Sequence, residues 1–284
     1  MVTAIVIPAR NEAAALGQVL AEIPRGLAHE IIVVDNGSTD GTADVARRGG
    51  ARVVTEPTPG YGRACLAGVA ALDAASDIVV FMDADHSDYP EELPLLLAPI
   101  EEGRADLVIG SRTAKAQPGS LTPQQQFGNW LACALMRVGF GVRFTDLGPF
   151  RAIRREALEQ LGMNDQAFGW TVEMQAKAAR ARLRVVEAPV RYRPRIGRSK
   201  ISGTLSGTIR AGAAIISTIV RITLRAPGGR SGLWARGSPA STARRLRKPW
   251  RAAIMDGGPE GQLPRAQSLE PTADLESGTS GNHA

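Results

Sequence analysis

Asp83 and Asp85 stand one residue apart at the end of the apolar run Ile78-Val79-Val80-Phe81-Met82. Two carboxylates at that spacing can share one divalent cation through hard oxygen ligands, which suits Mg²⁺ or Mn²⁺. A cation held in this way bridges the phosphates of a nucleotide. An Asp-x-Asp pair is also an ordinary turn, so its meaning depends on the element that presents it. This run is short and rich in β-branched residues, as buried parallel strands are. Open α/β sheets bind ligands in the loops at the carboxyl ends of such strands.

The preceding chain repeats the pattern. Residues 2–7 read as a first strand that stops at Pro8, because proline cannot donate to a central ladder. Ala13 to Ile23 carries Leu16, Val19, Leu20 and Ile23 at helical spacing. Glu30 to Asp35 is a second buried strand ending in a carboxylate. The turn chemistry of Asn36 to Gly41 follows, with Ser38 or Asp40 placed to cap a helix from Thr42. Arg52–Thr55 reads as a third strand, Tyr61–Ala74 as a helix, and Asp106–Gly110 as a fifth strand leading into Ser111-Arg112. The stretch from Glu91 to Glu102 is helical in composition, and Pro94 and Pro99 predict a break in it. This alternation predicts a mainly parallel α/β sheet. It places Pro8–Glu12, Asp35–Ser38 and Asp83–Asp85 on one rim, where they form a nucleotide pocket.

Beyond Arg112 the pattern changes to a polar loop, a long apolar helix over 121–139, a helix near 167–181 and a strand within 184–192. No Gly-x-Gly-x-x-Gly or Gly-Lys-Ser/Thr motif follows the first strand, which argues against a dinucleotide dehydrogenase or a P-loop ATPase. It also argues against a nucleotidyltransferase. Residues 203–225 hold a ten-residue apolar run, half of what a bilayer span needs. They are expected to form a helix that lies on a membrane surface or packs on protein. Residues 226–284 lack apolar periodicity and read as disordered.

The net charge of +6 conceals a division. Residues 1–176 hold 14 Lys/Arg against 22 Asp/Glu, whereas residues 177–251 hold 19 Lys/Arg against Glu187 alone. A second half this basic is an anion-binding face. Basic residues are not interleaved with aromatic stacking platforms, so nucleic acid is not the expected partner. Cys65 and Cys133 make no disulfide framework and no zinc site, and the amino terminus does not read as a signal peptide. The expected location is cytoplasmic, with peripheral contact to the inner membrane face left open.

The ordered series Ile-Pro-Ala-Arg-Asn-Glu (7–12), Val-Val-Asp-Asn-Gly-Ser-Thr-Asp-Gly-Thr (33–42), Asp-Ala-Asp (83–85) with Tyr-Pro-Glu (89–91), Gly-Ser-Arg (110–112), Asp-Leu-Gly-Pro-Phe-Arg (146–151) and Ser-Lys (199–200) resembles a family 2 glycosyltransferase of the GT-A fold. Within that family the chain is most similar to dolichyl- or polyprenyl-phosphate mannose or glucose synthases. The resemblance covers about residues 2–205. It implies a catalytic domain over 1–202, with a nucleotide-sugar half (1–112) and an acceptor half (113–202).

The resemblance implies roles for particular residues. Asp35 would contact the base and ribose, with Pro8, Arg10, Glu12, Gly37, Ser38 and Ala84 around it. Asp83 and Asp85 would hold Mg²⁺ or Mn²⁺, with Ser87 where the family has a third polar ligand. Arg112 would steady phosphate charge, a role its planar fork suits. Arg193, Arg195, Ser199 and Lys200 would meet the acceptor phosphate or close over the donor. Asp146 and Glu173 would line the acceptor cleft. The implied reaction is inverting transfer of a hexose from a nucleoside diphosphate sugar, UDP-glucose or GDP-mannose, to a lipid phosphate. A phosphate monoester is already charged near neutral pH and needs no general base. A hydroxyl acceptor, as in a soluble transferase acting on a sugar, glycerate or metabolite, needs one, and Asp146 is then the first candidate. Oligomeric state is left open.

Overall fold

The structure, a computed structural model, describes residues 1–197, 216–219 and 221–222. Seven strands form one sheet: β1 (Thr3–Ala9), β2 (Glu30–Asp35), β3 (Arg52–Thr55), β4 (Ile78–Phe81), β5 (Leu107–Ser111), β6 (Arg151–Arg154) and β7 (Val185–Pro189). Their order is β3-β2-β1-β4-β6-β5-β7. Pairing is parallel except where β6 lies antiparallel between β4 and β5. The sheet is thus mainly parallel, as expected, with one reversed strand that the sequence reading missed.

Period-two alternation sends side chains to both faces. On one face Ile5, Ile7, Val33, Val80 and Met82 pack under α1 (Ala13–Glu22), α2 (Thr42–Arg48) and α4 (Leu93–Glu101). On the other, Val6, Val34, Val79, Phe81 and Ile109 pack under α3 (Tyr61–Ala70), α6 (Arg155–Leu161) and α7 (Trp170–Ala181). Trp170 meets Phe81 edge-on at 5.6 Å between ring centroids. β4, fully buried, is sandwiched at the centre of both layers.

Three expectations need correcting. Pro8 lies inside β1, not after it. Val6 O accepts from Met82 N and Ala9 O from Asn36 N, so strand alternation turns the Pro8 nitrogen toward β4. The β1–β4 ladder has already ended there, at Val6–Phe81, and no donor is missed. The expected break between Pro94 and Pro99 is also absent. A 3₁₀ turn over Pro90–Glu92 leads into an unbroken α4. Pro94 falls in the first turn, where its N–H would have no partner, and Pro99 falls near the end. Finally, the segment after Arg154 forms α6, which was not expected.

The long helix is α5 (Pro123–Phe140), opened by a Thr122–Gln125 capping box and closed by Gly141 at φ 68°. Of the segment 203–225, residues 216–219 and 221–222 are helical, with Ile219 buried among Ala132, Cys133, Met136, Leu147 and Val172. That portion packs on the domain. The rest of 203–225, the 226–284 tail, Ser199 and Lys200 lie outside the described residues.

Candidate active site

Parallel pairing of β2, β1 and β4 brings their carboxyl ends to one edge. The β1 and β2 loops are laced together there. Asn11 N donates to Ser38 Oγ at 3.0 Å, Thr39 N to Asn11 Oδ1 at 2.7 Å, and Glu12 N to Thr42 Oγ1 at 2.9 Å. Asp40 accepts from Ala13 N and Thr42 N, so it reaches the first turn of α2, whereas Ser38 serves the neighbouring loop. Asp35 accepts from Ser38 N at 3.1 Å. Gly37 turns at φ +70°, and a Cβ there would stand 3.2 Å from the Pro57 carbonyl. Asn36 had no expected role, yet it donates to Glu56 O and Thr58 O and accepts from Gly60 N. It thereby fixes the start of α3.

The first residue of α3, Tyr61, donates its hydroxyl to Asp83 Oδ1 at 3.1 Å. Asp85 is buried. Its Oδ1 accepts from Ser87 N (3.0 Å) and Ser87 Oγ (2.5 Å), and its Oδ2 faces Arg195 Nη1 at 3.1 Å. Arg195 also reaches Glu12 Oε1 at 3.2 Å. The expected Asp83, Asp85, Ser87, Glu12 and Arg195 are therefore neighbours. The structure adds Asp88, buried beside them: its Oδ2 accepts from Asp83 N at 3.3 Å and its Oδ1 has no partner. Asp88 lies three residues past Asp85, which was the available signal.

Burial, reinforced by the negative Asp85, pushes the Asp83 carboxyl up to about 7. Burial likewise raises Asp88 well above the carboxylate range, with Asp83 and Asp85 adding to it. Arg195 is the cation paired with this cluster, fewer positive charges than its three carboxyl groups, and Asp88 Oδ1 is an unused buried oxygen. Both features fit a divalent cation. Among the described residues no group of three His, Cys, Asp or Glu side chains is placed to hold a metal ion by itself, so a cation here would rest on fewer protein ligands. An open site suits an ion that fills its shell with phosphate and water.

A second cluster forms at the end of β5. Arg112 forks onto Asp146, with Nε–Oδ2 at 2.8 Å and Nη2–Oδ1 at 2.7 Å, while Arg112 N donates to Oδ2 at 2.7 Å. Leu147 N takes Oδ1 as well, at 2.8 Å. The guanidinium also lies 4.9 Å from the Tyr192 ring centroid. Burial opposes the Arg112 charge, but its bonds to Asp146 raise its pKa further. Both Asp146 carboxylate oxygens are thus engaged, with Arg112 and with backbone N–H groups. Gly110 and Gly148 let the two motifs touch: a Cβ on Gly148 would fall 2.0 Å from the Gly110 carbonyl oxygen.

The 145–150 loop hangs on Arg151, a fully buried side chain of β6. It donates to Gly148 O (3.0 Å), Leu147 O (3.1 Å) and Thr171 O (3.0 Å). Burial lowers its pKa to about 10. Its place at the end of the Asp-Leu-Gly-Pro-Phe-Arg motif was visible in the sequence, but its task was not. Asn129 of α5 ties down the same loop by donating to Thr145 O and accepting from Leu147 N.

Glu173, expected at the acceptor cleft, and Arg193, expected at the acceptor phosphate or over the donor, are both engaged with protein groups. Glu173 accepts from Asn164 N and Asp165 N and pairs with Lys177 at 2.7 Å. It is 2 % exposed and holds the loop before α7. Arg193 donates to His86 O (2.6 Å) and Glu22 Oε2 (2.5 Å) and stacks 4.3 Å over the Tyr89 ring. It clamps the 83–89 turn, in which His86 at φ 65° pairs with Glu22. Pro8 and Ala84 line the rim, and Arg10 is exposed on it.

The family model described as Glycosyl transferase family 2 matches residues 4–162. An uncharacterised glycosyltransferase of Mycobacterium tuberculosis is 45% identical over 209 residues, covering 73% of this chain and 93% of that protein. A dolichyl-phosphate hexose transferase of Haloferax volcanii is 35% identical over 226 residues, 78% of this chain and 93% of its own. Among solved structures, glucosyl-3-phosphoglycerate synthase from M. tuberculosis, in complex with Mn²⁺, UDP-glucose and phosphoglyceric acid, aligns with a TM-score of 0.63 at 26% identity over 78% of this chain and 79% of that one. The α/β architecture is therefore of the GT-A type, and the chain belongs to glycosyltransferase family 2.

Proposed function

We propose that the protein moves a hexose, with inversion, from a nucleoside diphosphate sugar to a polyprenyl or dolichyl phosphate, using Mg²⁺ or Mn²⁺ at Asp83 and Asp85. The observation that carries the proposal is the buried, under-neutralised carboxylate cluster at the end of β4. It shares its rim with the Asp35 loop on one side and Arg195 on the other. Asp35, Gly37 and Ser38 would receive the base and ribose, a carboxylate being an acceptor for N–H and hydroxyl groups. Asp83 and Asp85 would hold the metal with Ser87 beside them, and the ion would offset charge on the departing diphosphate. Arg112, aimed by Asp146, would present its free edge to phosphate. Arg195 pairs with Asp85 and Glu12 and would turn to a phosphate where a cation takes its place.

The saturation of Asp146 and Glu173 favours a phosphate acceptor over a hydroxyl. Asp146, the candidate base, and Glu173, the other carboxylate expected at the acceptor cleft, are held by other donors, and an anionic phosphate needs no base. The H. volcanii relative, by name, transfers hexose to dolichyl phosphate. Such an acceptor would place the enzyme on the cytoplasmic face of a membrane, and no described helix is long and apolar enough to cross one. The test is product analysis with UDP-glucose or GDP-mannose and Mn²⁺, offering undecaprenyl phosphate beside 3-phosphoglycerate. A glycosylated lipid phosphate supports the proposal; product on 3-phosphoglycerate alone replaces it with the soluble alternative.

A further inference from the structure

α5 is apolar on two opposite sides. Its inner face, Ala132, Cys133 and Met136, packs into the domain. A surface helix ordinarily turns charged residues outward on the other side. Here that side carries Phe127, Trp130, Leu131, Ala134 and Val138, spaced by three, four, seven and eleven residues from Phe127. Phe127 and Trp130 are each 62% exposed and Val138 is 87% exposed. The two rings lie 5.9 Å apart as a pair. Arg137 is the one charged residue on the helix.

The stretch of chain that carries the helix has charges of a single sign. Residues 113–145 contain Lys115, Arg137 and Arg143, all exposed, and no Asp or Glu. A second copy docked on this face would set arginine against arginine with no acid in that stretch to pair them. An aromatic and aliphatic stripe flanked by cations matches a bilayer interface, where Trp sits at headgroup level and Lys/Arg meet lipid phosphates. The helix is also joined to the site, because Asn129 holds the loop that carries Asp146.

We propose that the outer face of α5 docks on an anionic phospholipid surface, Phe127, Trp130 and Val138 entering the headgroup boundary and Lys115, Arg137 and Arg143 meeting phosphates. The inference rests on the lipid-phosphate reading above, and it gives that reading a docking surface separate from the segment 203–225. Docking by α5 brings the Arg112–Asp146 cluster to the membrane, where a lipid-borne phosphate is presented.

The test uses the full chain and phosphatidylcholine vesicles with and without phosphatidylglycerol. Phe127→Ser/Trp130→Ser should lower partition onto the anionic vesicles about tenfold or more, given the apolar area removed. It should lower transfer to undecaprenyl phosphate in vesicles while leaving transfer in detergent micelles unchanged. An environment-sensitive dye on Val138→Cys should shift to the blue on anionic vesicles; the native Cys65 and Cys133 are buried. Unchanged partition of the double variant, or an unmoved dye, overturns the inference even if lipid product forms in micelles. Wild-type self-association that the double variant abolishes, with vesicle binding intact, overturns it in favour of a second copy. Loss of partition in a protein that makes no lipid product in micelles keeps the docking face and removes the acceptor assignment.

Discussion

Asp83→Asn should stabilise the metal-free protein, and the gain should grow with pH. In the unfolded chain an aspartate gives up its proton near 3.9, whereas burial beside Asp85 holds the folded Asp83 proton to about 7. Between these limits the folded state binds more protons, so its stability falls as pH rises through the window. A shift of roughly three units at 1.36 kcal/mol each bounds the loss at about 4 kcal/mol. Relaxation and water entry around a partly exposed rim reduce this to about 2 kcal/mol. Asparagine keeps the shape without the charge. Glu22, Asp40 and Asp106, whose carboxyls are shifted down, are common to both proteins and cancel in the difference. The assay is urea unfolding of both proteins in chelator at several pH values. The variant should lie within about 0.5 kcal/mol of wild type near pH 4.5 and exceed it by about 2 kcal/mol near pH 7.5. Saturating Mn²⁺ should rescue wild type alone. A difference independent of pH, or a variant weaker at pH 7.5, would refute the electrostatic reasoning.

Other outcomes follow from the same geometry. Asp146→Asn strands a buried Arg112 and should cost about 3 kcal/mol of stability by thermal or urea unfolding. It should lower kcat without moving the pH–rate profile; loss of an ionisation from that profile would mean Asp146 is a base after all. Glu173→Gln breaks the Lys177 pair and two backbone hydrogen bonds to a carboxylate. It should cost about 1–3 kcal/mol of stability while kcat stays near wild type below the melting point; a kcat collapse in folded protein would place Glu173 in the chemistry. Arg195→Gln removes the cation that competes for Asp85. Calorimetry should show Mn²⁺ binding about three- to tenfold tighter without nucleotide, as a partly exposed ion pair of about 1 kcal/mol allows; weaker Mn²⁺ binding would contradict the exchange.

Strand–helix alternation and the acidic strand ends were legible because apolar period and turn chemistry are local signals. They predicted the rim and the Asp83–Asp85 pair, while Ser87 was implied only by the family resemblance. The reversed β6 was not legible. Four residues, Arg-Ala-Ile-Arg, carry no directional mark, and their direction is set by long-range pairing to Phe81 and Leu107. Asp146, Glu173 and Arg193 were legible as charged residues near motifs, but not as braces. Whether a carboxylate faces a cleft or a set of backbone N–H groups depends on the loop folded over it, here those of Leu147, Asn164 and Asp165. Tyr61 and Asn36 escaped notice for a similar reason. Each acts across twenty residues or more, on Asp83 and on Glu56 to Gly60.

The most direct measurement is transfer of labelled hexose from its sugar nucleotide to undecaprenyl phosphate by wild type and Asp85→Asn, each titrated with Mn²⁺ from a chelated start. The account predicts turnover in wild type that rises from background with the ion, and none in the folded variant at any concentration. Full turnover by wild type in excess chelator, or by Asp85→Asn, would contradict a cation held on these carboxylates as the anchor of the donor diphosphate.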